Sequence, residues 1–298
     1  MLWIPLTIAA SAAQVLRNGA QSSLTGRIGM LGATQVRFVF GLPFAVLFLL
    51  VALWMTGERL PHVGAEALRW GALGAVSQIV GTALMLLVMH RRAFGVAYAY
   101  IKTEPAIVAV LGALVLRDNL PLLGWIAVVV VTAGVLIASV KPGAWGSLMH
   151  ERAMIAMGVG SGALFGLSAI SFRAAIGSLP EGSFVIRSMT ILVLSLTIQA
   201  GLLGLYLAIW DRKAFTASLR EWRRSIGAGF LGALSSAGWF TAFSLTAAAN
   251  VRTLGLVEMP FAALLSGKLT GRRTARHELA GMAVVMAGVG LLLVSVAA

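Results

Sequence analysis

Apolar segments of about twenty residues recur along the whole chain, and they constrain its fold more than any other feature. Crossing the hydrocarbon core of a membrane takes roughly 20 apolar residues in an α-helix. The segments lie at residues 3–24, 32–56, 70–89, 93–116, 120–140, 153–176, 183–210, 225–246, 249–267 and 278–297. Membrane-spanning strands would alternate in polarity, whereas runs such as Ile126–Val131 are apolar throughout. The sequence therefore predicts an all-α polytopic membrane protein with ten transmembrane helices.

The composition agrees with this prediction. Of the 298 residues, 59% are hydrophobic and 11% are charged, whereas soluble domains carry roughly 25% charged residues. A net charge of +13 would suit nucleic acid, but most of the Lys and Arg lie in short gaps between apolar segments, as membrane proteins place them. We therefore expect a lipid bilayer around the chain, in a bacterial-type inner membrane, and no nucleic-acid partner.

Four short motifs of the first half of the chain recur in the same order in the second half, at offsets of 150 to 156 residues. The pairs are Val36-Arg37 and Ile186-Arg187, Ala13–Arg17 and Ala169–Arg173, Glu104-Pro105 and Glu258-Met259-Pro260, and Ala133-Gly134 and Ala287-Gly288. Because each half has five apolar segments, the second half would enter the membrane from the opposite side. This predicts two inverted five-helix repeats, 1–140 and 153–298, joined by a loop at 141–152. Inverted repeats are common in secondary transporters, whose substrate site lies near the midplane between the repeats.

Several stretches carry a resemblance to a known family. They are Arg37-Phe38, the run from Ala97 to Pro105 that continues to Leu116-Arg117-Asp118, and the Gly- and Ala-punctuated segment Gly124–Leu136. Together they resemble the drug/metabolite transporter superfamily in its ten-helix EamA-type branch, although family members commonly carry Glu where Asp118 stands. The resemblance implies two EamA domains and export of small metabolites, often amino acids and among them aromatic ones, without fixing the substrate.

Seven charged residues lie inside the apolar segments, where a charge near the bilayer centre needs a partner or a wet cavity. They are Arg17, Arg37, Lys102, Glu104, Arg173, Arg187 and Glu258. Glu104 and Glu258 are repeat-related, and either could take a proton or bind a substrate ammonium, or both could form a buried pair that fixes helix packing. Lys102 could hold a substrate carboxylate or pair with another helix. On one continuous helix Lys102 and Glu104 would lie roughly 200° apart, so we expect them on different faces.

Helix 1 carries a polar stripe, because Gln14, Arg17, Asn18 and Gln21 fall at i, i+3, i+4 and i+7. A lipid-facing surface cannot accept this stripe, so it faces either a wet cavity or polar groups on neighbouring helices. Aromatic residues at similar depth could contact an apolar substrate, although core packing explains them equally well. The predicted substrate-binding residues are Gln14, Arg17, Asn18, Tyr98, Lys102, Glu104, Trp239, Phe243 and Glu258.

Pro105 and Pro260 fall in the middle of their apolar segments. A proline inside a helix removes one backbone hydrogen bond and kinks the helix. We therefore predict two repeat-related hinges for alternating access. The freed carbonyls are alternatively satisfied by neighbouring groups, in which case the kinks serve packing alone.

The charges of the gaps are divided unequally between the two membrane faces that ten crossings create. One face, which also carries both termini, has Arg59, Arg69, Arg117 and Arg252, and the other has fourteen Lys and Arg. The positive-inside rule then places both termini outside the cell, whereas the family resemblance implies termini inside. In the longest gap, Asp211–Arg224, apolar residues alternate with basic ones, as is typical of an interfacial stretch.

The sequence offers little for enzyme chemistry. There is no cysteine, and the four histidines lie in or at gaps without metal-ligand spacing. We expect no enzyme, no metal and no cofactor; the partners are a small-molecule substrate and, if transport is coupled, protons. The alternatives left open are a membrane scaffold or membrane-embedded enzyme that transports nothing, or a transporter of drug-like or nucleotide-sugar substrates.

Overall fold

In the computed structural model, residues 1–91, 102–140, 152–270 and 274–297 are described, and every element of regular structure in these ranges is a helix. The elements are α1 (Trp3–Val39), α2 (Gly41–Thr56), α3 (Ala65–Arg91), α4 (Glu104–Val115), α5 (Leu122–Ser139), α6 (Arg152–Gly177), α7 (Phe184–Trp210), α8 (Arg212–Arg220), α9 (Trp222–Leu245), α10 (Ala248–Leu254), a 3-10 turn (Gly255–Val257), α11 (Glu258–Thr270) and α12 (Arg276–Ala297).

The helices have the length and polarity of membrane spans. Within the described residues, six stretches are long and apolar enough to cross a membrane: Leu24–Thr56, Leu122–Ser139, Ala153–Gly177, Phe184–Trp210, Trp222–Leu245 and Arg276–Ala297. Large apolar side chains such as Leu50, Leu122 and Val129 are exposed at the protein surface. An apolar surface of this extent is favourable in contact with lipid but not with water. The predicted fold class, an all-α polytopic membrane protein, is confirmed.

The first helix is divided by Gly29. Its backbone, at φ 72° and ψ 172°, lies in a region that glycine alone adopts readily. The amide of Gln21 donates to the carbonyl of Ala33 at 2.8 Å, although twelve helical residues would separate them by about 18 Å. The chain therefore folds back at Gly29, inside the gap predicted between the first two apolar segments.

The chain forms two compact units, and each combines segments from both halves of the sequence. Unit 1 contains Met1–Ile79 and Ser171–Thr246, and unit 2 contains Val80–Ile170 and Ala247–Ala298. The division of the sequence into repeats at 1–140 and 153–298 stays a prediction.

In unit 1, α1 packs along α9 at small residues. A β-carbon on Gly238 would lie 2.8 Å from the β-carbon of Ala10, so glycine is what allows this approach. The hydroxyl of Ser235 donates to the carbonyl of Ala10 at 3.0 Å. This contact fixes the depth of α1 against α9 and thereby the position of the polar stripe on α1.

In unit 2, α5 packs closely along α12. A β-carbon on Gly134 would lie 2.7 Å from the backbone nitrogen of Val285, and one on Gly281 would overlap the backbone of Ala138. Small residues let the two backbones touch, which is how helices associate where lipid removes the hydrophobic driving force.

The predicted span 249–267 is interrupted at its centre, and the described part of segment 93–116 contains a turn. Segment 249–267 consists of α10, the 3-10 turn and α11, and in segment 93–116 the helix α4 begins only at Glu104, after a turn at residues 102–103. The prediction of Pro105 and Pro260 as mid-helix residues is therefore wrong, because both lie in the first turn of a helix. The first turn of α4 has no internal acceptors for its N–H groups, so Pro105 sacrifices no hydrogen bond there, whereas Pro260 is the third residue of α11 and follows the 3-10 turn closely.

Candidate functional site

Four charged side chains of unit 2 form two ion pairs, and we call them the charge cluster: Lys102, Glu104, Arg252 and Glu258. The ammonium of Lys102 contacts Oε1 of Glu258. Nε of Arg252 lies 3.1 Å from Oε1 of Glu104. The four side chains are only 7% to 16% exposed, so both pairs are largely withdrawn from the surface.

The ion pairs are crossed with respect to the sequence. The cation Lys102 of the first half meets the acid Glu258 of the second half, and the cation Arg252 of the second half meets the acid Glu104 of the first. The motifs that gave the repeat, Glu104-Pro105 and Glu258-Met259-Pro260, thus come together in one unit. The cluster holds two negative and two positive groups and is neutral overall.

Both acids begin a helix, which explains why the chain can hold them in the membrane. Glu104 is the first residue of α4, and Glu258 is the first residue of α11. The N-terminus of a helix carries a partial positive charge, so Glu104 is stabilised by the backbone as well as by its cation, whereas the N–H of Glu258 already donates to carbonyls of the 3-10 turn. The prolines that follow favour a helix start at these points.

The prediction that Lys102 and Glu104 lie on different faces of one helix does not hold. Lys102 and Thr103 form a turn, and α4 begins after them, so helical spacing does not apply between residues 102 and 104. Freed from the helix, Lys102 reaches Glu258 while Glu104 reaches Arg252.

Sequence reasoning missed Arg252. We counted it among the charges of a membrane face, yet it lies in α10 with its side chain only 16% exposed. Two signals could have found it. Arg252 falls inside the apolar segment 249–267, and a buried Glu104 requires a cation.

Unit 1 contains a second group of the predicted residues, which we call the polar cluster: Gln14, Arg17, Asn18, Trp239 and Phe243. The indole N–H of Trp239 donates to Oε1 of Gln14 at 3.1 Å. Arg17 is buried and donates from Nε and Nη2 to Oδ1 of Asn18 at 3.2 and 2.7 Å, whereas Asn18 itself is exposed. The rings of Trp239 and Phe243 lie nearly parallel with centroids 6.4 Å apart.

Two arginine stems run side by side next to the polar cluster. A β-carbon on Gly232 of α9 would lie 3.5 Å from Cδ of Arg17 and 3.4 Å from Cγ of Arg37. Both arginine stems therefore lie over the same face of α9 at residue 232. With Gln14 bonded to Trp239 and Gln21 to the Ala33 carbonyl, the polar stripe meets polar groups on neighbouring segments. The predicted contact residue Tyr98 lies outside the described residues.

The comparisons with known proteins agree with this architecture. Residues 1–140 match the model of the EamA-like transporter family. The N-terminal part of this chain is thus similar to that family. Twenty-two chains of solved structures match the protein. One of them, a crystal structure, superposes with a TM-score of 0.72 at 11% sequence identity, over 97% of this chain and 96% of that one. No curated protein matches the sequence.

The match to the EamA-like family indicates a multi-pass membrane transporter of small molecules. The matched half carries Lys102 and Glu104 of the charge cluster and Gln14, Arg17 and Asn18 of the polar cluster. At 11% identity the structural likeness shows the fold alone, and it covers both halves of the chain.

Proposed function

We propose that this EamA-like protein is a secondary transporter that exports amino acids across a bacterial-type inner membrane, and that the charge cluster binds the substrate. The observation that carries the proposal is the pair of crossed ion pairs at two helix starts. A protein that only needed rigid packing could fill this position with apolar residues, often at a gain in stability. Buried charges inside a membrane are retained where they serve substrates or ions.

The charges of the cluster match those of an amino acid. A free amino acid carries one ammonium and one carboxylate, and the cluster offers carboxylates at Glu104 and Glu258 and cations at Lys102 and Arg252. Substrate binding can therefore exchange internal ion pairs for pairs with the substrate. Because the substrate is neutral overall, no uncompensated charge is left in a medium where it would be costly.

The polar cluster of unit 1 is proposed as a second binding position. Arg17 would attract the substrate carboxylate, and Gln14 and Asn18 offer amide groups. Trp239 and Phe243 are 6% and 1% exposed in this structure, so an apolar or aromatic substrate side chain would reach and stack on their rings in a conformation that opens the cluster. This arrangement supports amino acids with apolar side chains as the preferred substrates.

Proton antiport follows from the same chemistry. A proton on Glu258 neutralises the carboxylate and releases Lys102, and a substrate ammonium has the same effect on that pair. If proton and substrate use this carboxylate in turn, their movements are coupled in opposite directions. The interrupted spans next to Pro105 and Pro260 would supply the hinges of an alternating-access cycle.

The coupling role is tested with Glu258→Gln in proteoliposomes. We expect proton-driven flux to be abolished, because the amide cannot take up a proton, while counterflow exchange of the same substrate persists with weaker binding, since Glu104 still offers a carboxylate to the ammonium. Glu181→Gln, which changes an exposed acid of a loop, should leave both activities at the level of the parent protein. If proton-driven flux survives in the Glu258 variant, the carboxylate does not couple transport.

The substrate class is tested by counterflow with a panel of labelled amino acids. Apolar and aromatic amino acids should exchange faster than acidic or basic ones, which would bring an extra charge into the cluster. A protein that is correctly folded in the liposomes but exchanges none of the panel would contradict the amino-acid assignment. A thermal-shift screen with the same compounds gives an independent measure of binding.

A further inference from the structure

We propose that a basic cavity in unit 1 binds the phosphate of an anionic phospholipid headgroup. The basic cavity is lined by residues from the end of α1 before its fold-back, the end of α8 and the start of α9: Arg27, Arg220, Glu221, Trp222, Arg223 and Arg224. Its volume of about 470 Å³ is large enough for a phosphate with its attached headgroup. This inference does not depend on the proposed transport activity.

The charge of the basic cavity calls for an anion. Its lining contains four arginines and one acidic residue, Glu221. Glu221 lies 3.9 Å from Arg27 and 3.7 Å from Arg224, which is longer than a hydrogen bond. The side chains of Arg27 and Arg224 are 56% and 58% exposed. Both guanidinium groups are therefore accessible to an incoming phosphate, which can accept hydrogen bonds from them.

Arginine is suited to this ligand. Its planar guanidinium donates two parallel hydrogen bonds to phosphate oxygens, and it is more weakly hydrated than an ammonium. All the cationic residues that line the basic cavity are arginines, while Lys213 lies on the same segment outside it. The composition of the lining therefore favours phosphate over a diffuse cloud of counterions.

The surroundings of the basic cavity place it at the level of lipid headgroups. Tyr206 and Trp210, at the end of α7, stack with centroids 5.3 Å apart and are both exposed. Trp222 is exposed as well, and the guanidinium of Arg223 lies 5.3 Å from its ring. Exposed Trp and Tyr are typical of the boundary between hydrocarbon and water.

The short helix α8 connects these aromatic residues along the membrane surface. It begins at the cap formed by Asp211, whose carboxylate accepts from the backbone N–H of Ala214 at 3.0 Å. Leu219 is exposed beside the basic end of α8. A basic helix with exposed apolar residues lies in the interface plane, so a lipid can place its phosphate in the basic cavity and its acyl chains beside Leu219. A soluble anion would gain nothing from this apolar neighbour.

Native mass spectrometry of the purified full chain, with phosphatidylglycerol and phosphatidylcholine as probes, tests the proposal. Removing a basic residue near a membrane surface weakens binding of anionic lipid by about fivefold. We therefore expect Arg223→Gln/Arg224→Gln to bind phosphatidylglycerol about 25-fold more weakly. Arg27→Gln, on a different helix, should cost about fivefold. Phosphatidylcholine binding should be the same in all variants.

The matched control is Arg212→Gln/Lys213→Gln, which removes the same charge from the same surface segment outside the basic cavity. It should bind phosphatidylglycerol clearly more tightly than the cavity double variant does, because its two charges lie outside the cavity. An equal loss in both double variants would overturn the site, because only diffuse charge would then be at work. Soluble glycerol phosphate separates the two sources of phosphate. If it displaces the lipid at equal concentration, the cavity is a site for soluble anions and the lipid assignment is wrong.

Discussion

Every acid of the charge cluster faces a cation, and this pairing allows the chain to keep charged side chains in its interior. Glu104 and Glu258 are buried at 6% and 5% exposure. The cost of holding such a carboxylate is offset by Arg252 or Lys102 and, for Glu104, also by a helix start. Each of the four residues is therefore tied to its partner, and single substitutions should be more harmful than paired ones.

Glu104→Gln should destabilise the protein by about 3 kcal/mol, the usual cost of breaking a buried ion pair from one side. The variant removes the negative charge that Arg252 faces at 3.1 Å. The measurement is the midpoint of thermal unfolding in detergent.

The double variant Glu104→Gln/Arg252→Gln should recover most of this loss, because no uncompensated charge remains at the pair. Glu181→Gln serves as the control at an exposed position and should unfold with the parent protein. A double variant no more stable than Glu104→Gln alone would show that the two side chains are not energetically coupled.

At this scale the sequence predicted part of the candidate site. Lys102, Glu104 and Glu258 stand out because a charge within an apolar segment is rare and costly, and the structure brings Lys102 and Glu258 into contact. Arg252 was missed because it lies near the end of its apolar segment. A charge at such a position is readily assigned to the adjacent loop. Glu104 and Arg252 are 148 residues apart in the sequence, so no local sequence pattern predicts that they form an ion pair.

At the scale of elements, hydropathy located the helices but not their interruptions. An apolar residue is as favourable in a 3-10 turn as in an α-helix, so segment 249–267 looked continuous although Gly255–Val257 divides it. The prolines gave the signal, since a proline is common in the first turn of a helix. We predicted Pro260 as a kink in the middle of a helix, whereas it lies in the first turn of α11.

The contact between α5 and α12 can be tested with two substitutions on one helix. Gly281→Ala adds a methyl group that overlaps the backbone of Ala138, so the helices must move apart. We expect a loss of about 1–3 kcal/mol, as for other overpacked positions. Thermal unfolding and protease resistance of the purified protein measure this loss.

Gly290→Ala is the matched control, because a β-carbon at residue 290 meets nothing within 4 Å. This variant should be as stable as the parent or more stable by up to about 1 kcal/mol, since alanine favours helix over glycine. Equal behaviour of the two glycine variants would mean that α5 and α12 are not held in close contact in the membrane.

For the whole molecule, the distribution of charge predicts its orientation. With Arg252 assigned to α10, the sparse face retains Arg59, Arg69 and Arg117 against fourteen Lys and Arg on the other. The positive-inside rule places the richer face in the cytoplasm. A C-terminal alkaline phosphatase fusion, which is active only outside the cytoplasm, should therefore be active, and a C-terminal green fluorescent protein should be dark. The reverse pattern would show that the family resemblance, with termini inside, is the better guide.

Gly29 determines how many times the chain crosses the membrane. A straight helix of the 37 residues Trp3–Val39 would be about 55 Å long, nearly twice the hydrocarbon thickness of about 30 Å. Such a rod could make only one crossing, and every later loop would then emerge on the opposite side of the bilayer. One residue without a side chain thus sets the parity of the crossings, and with it the compartment that each loop faces.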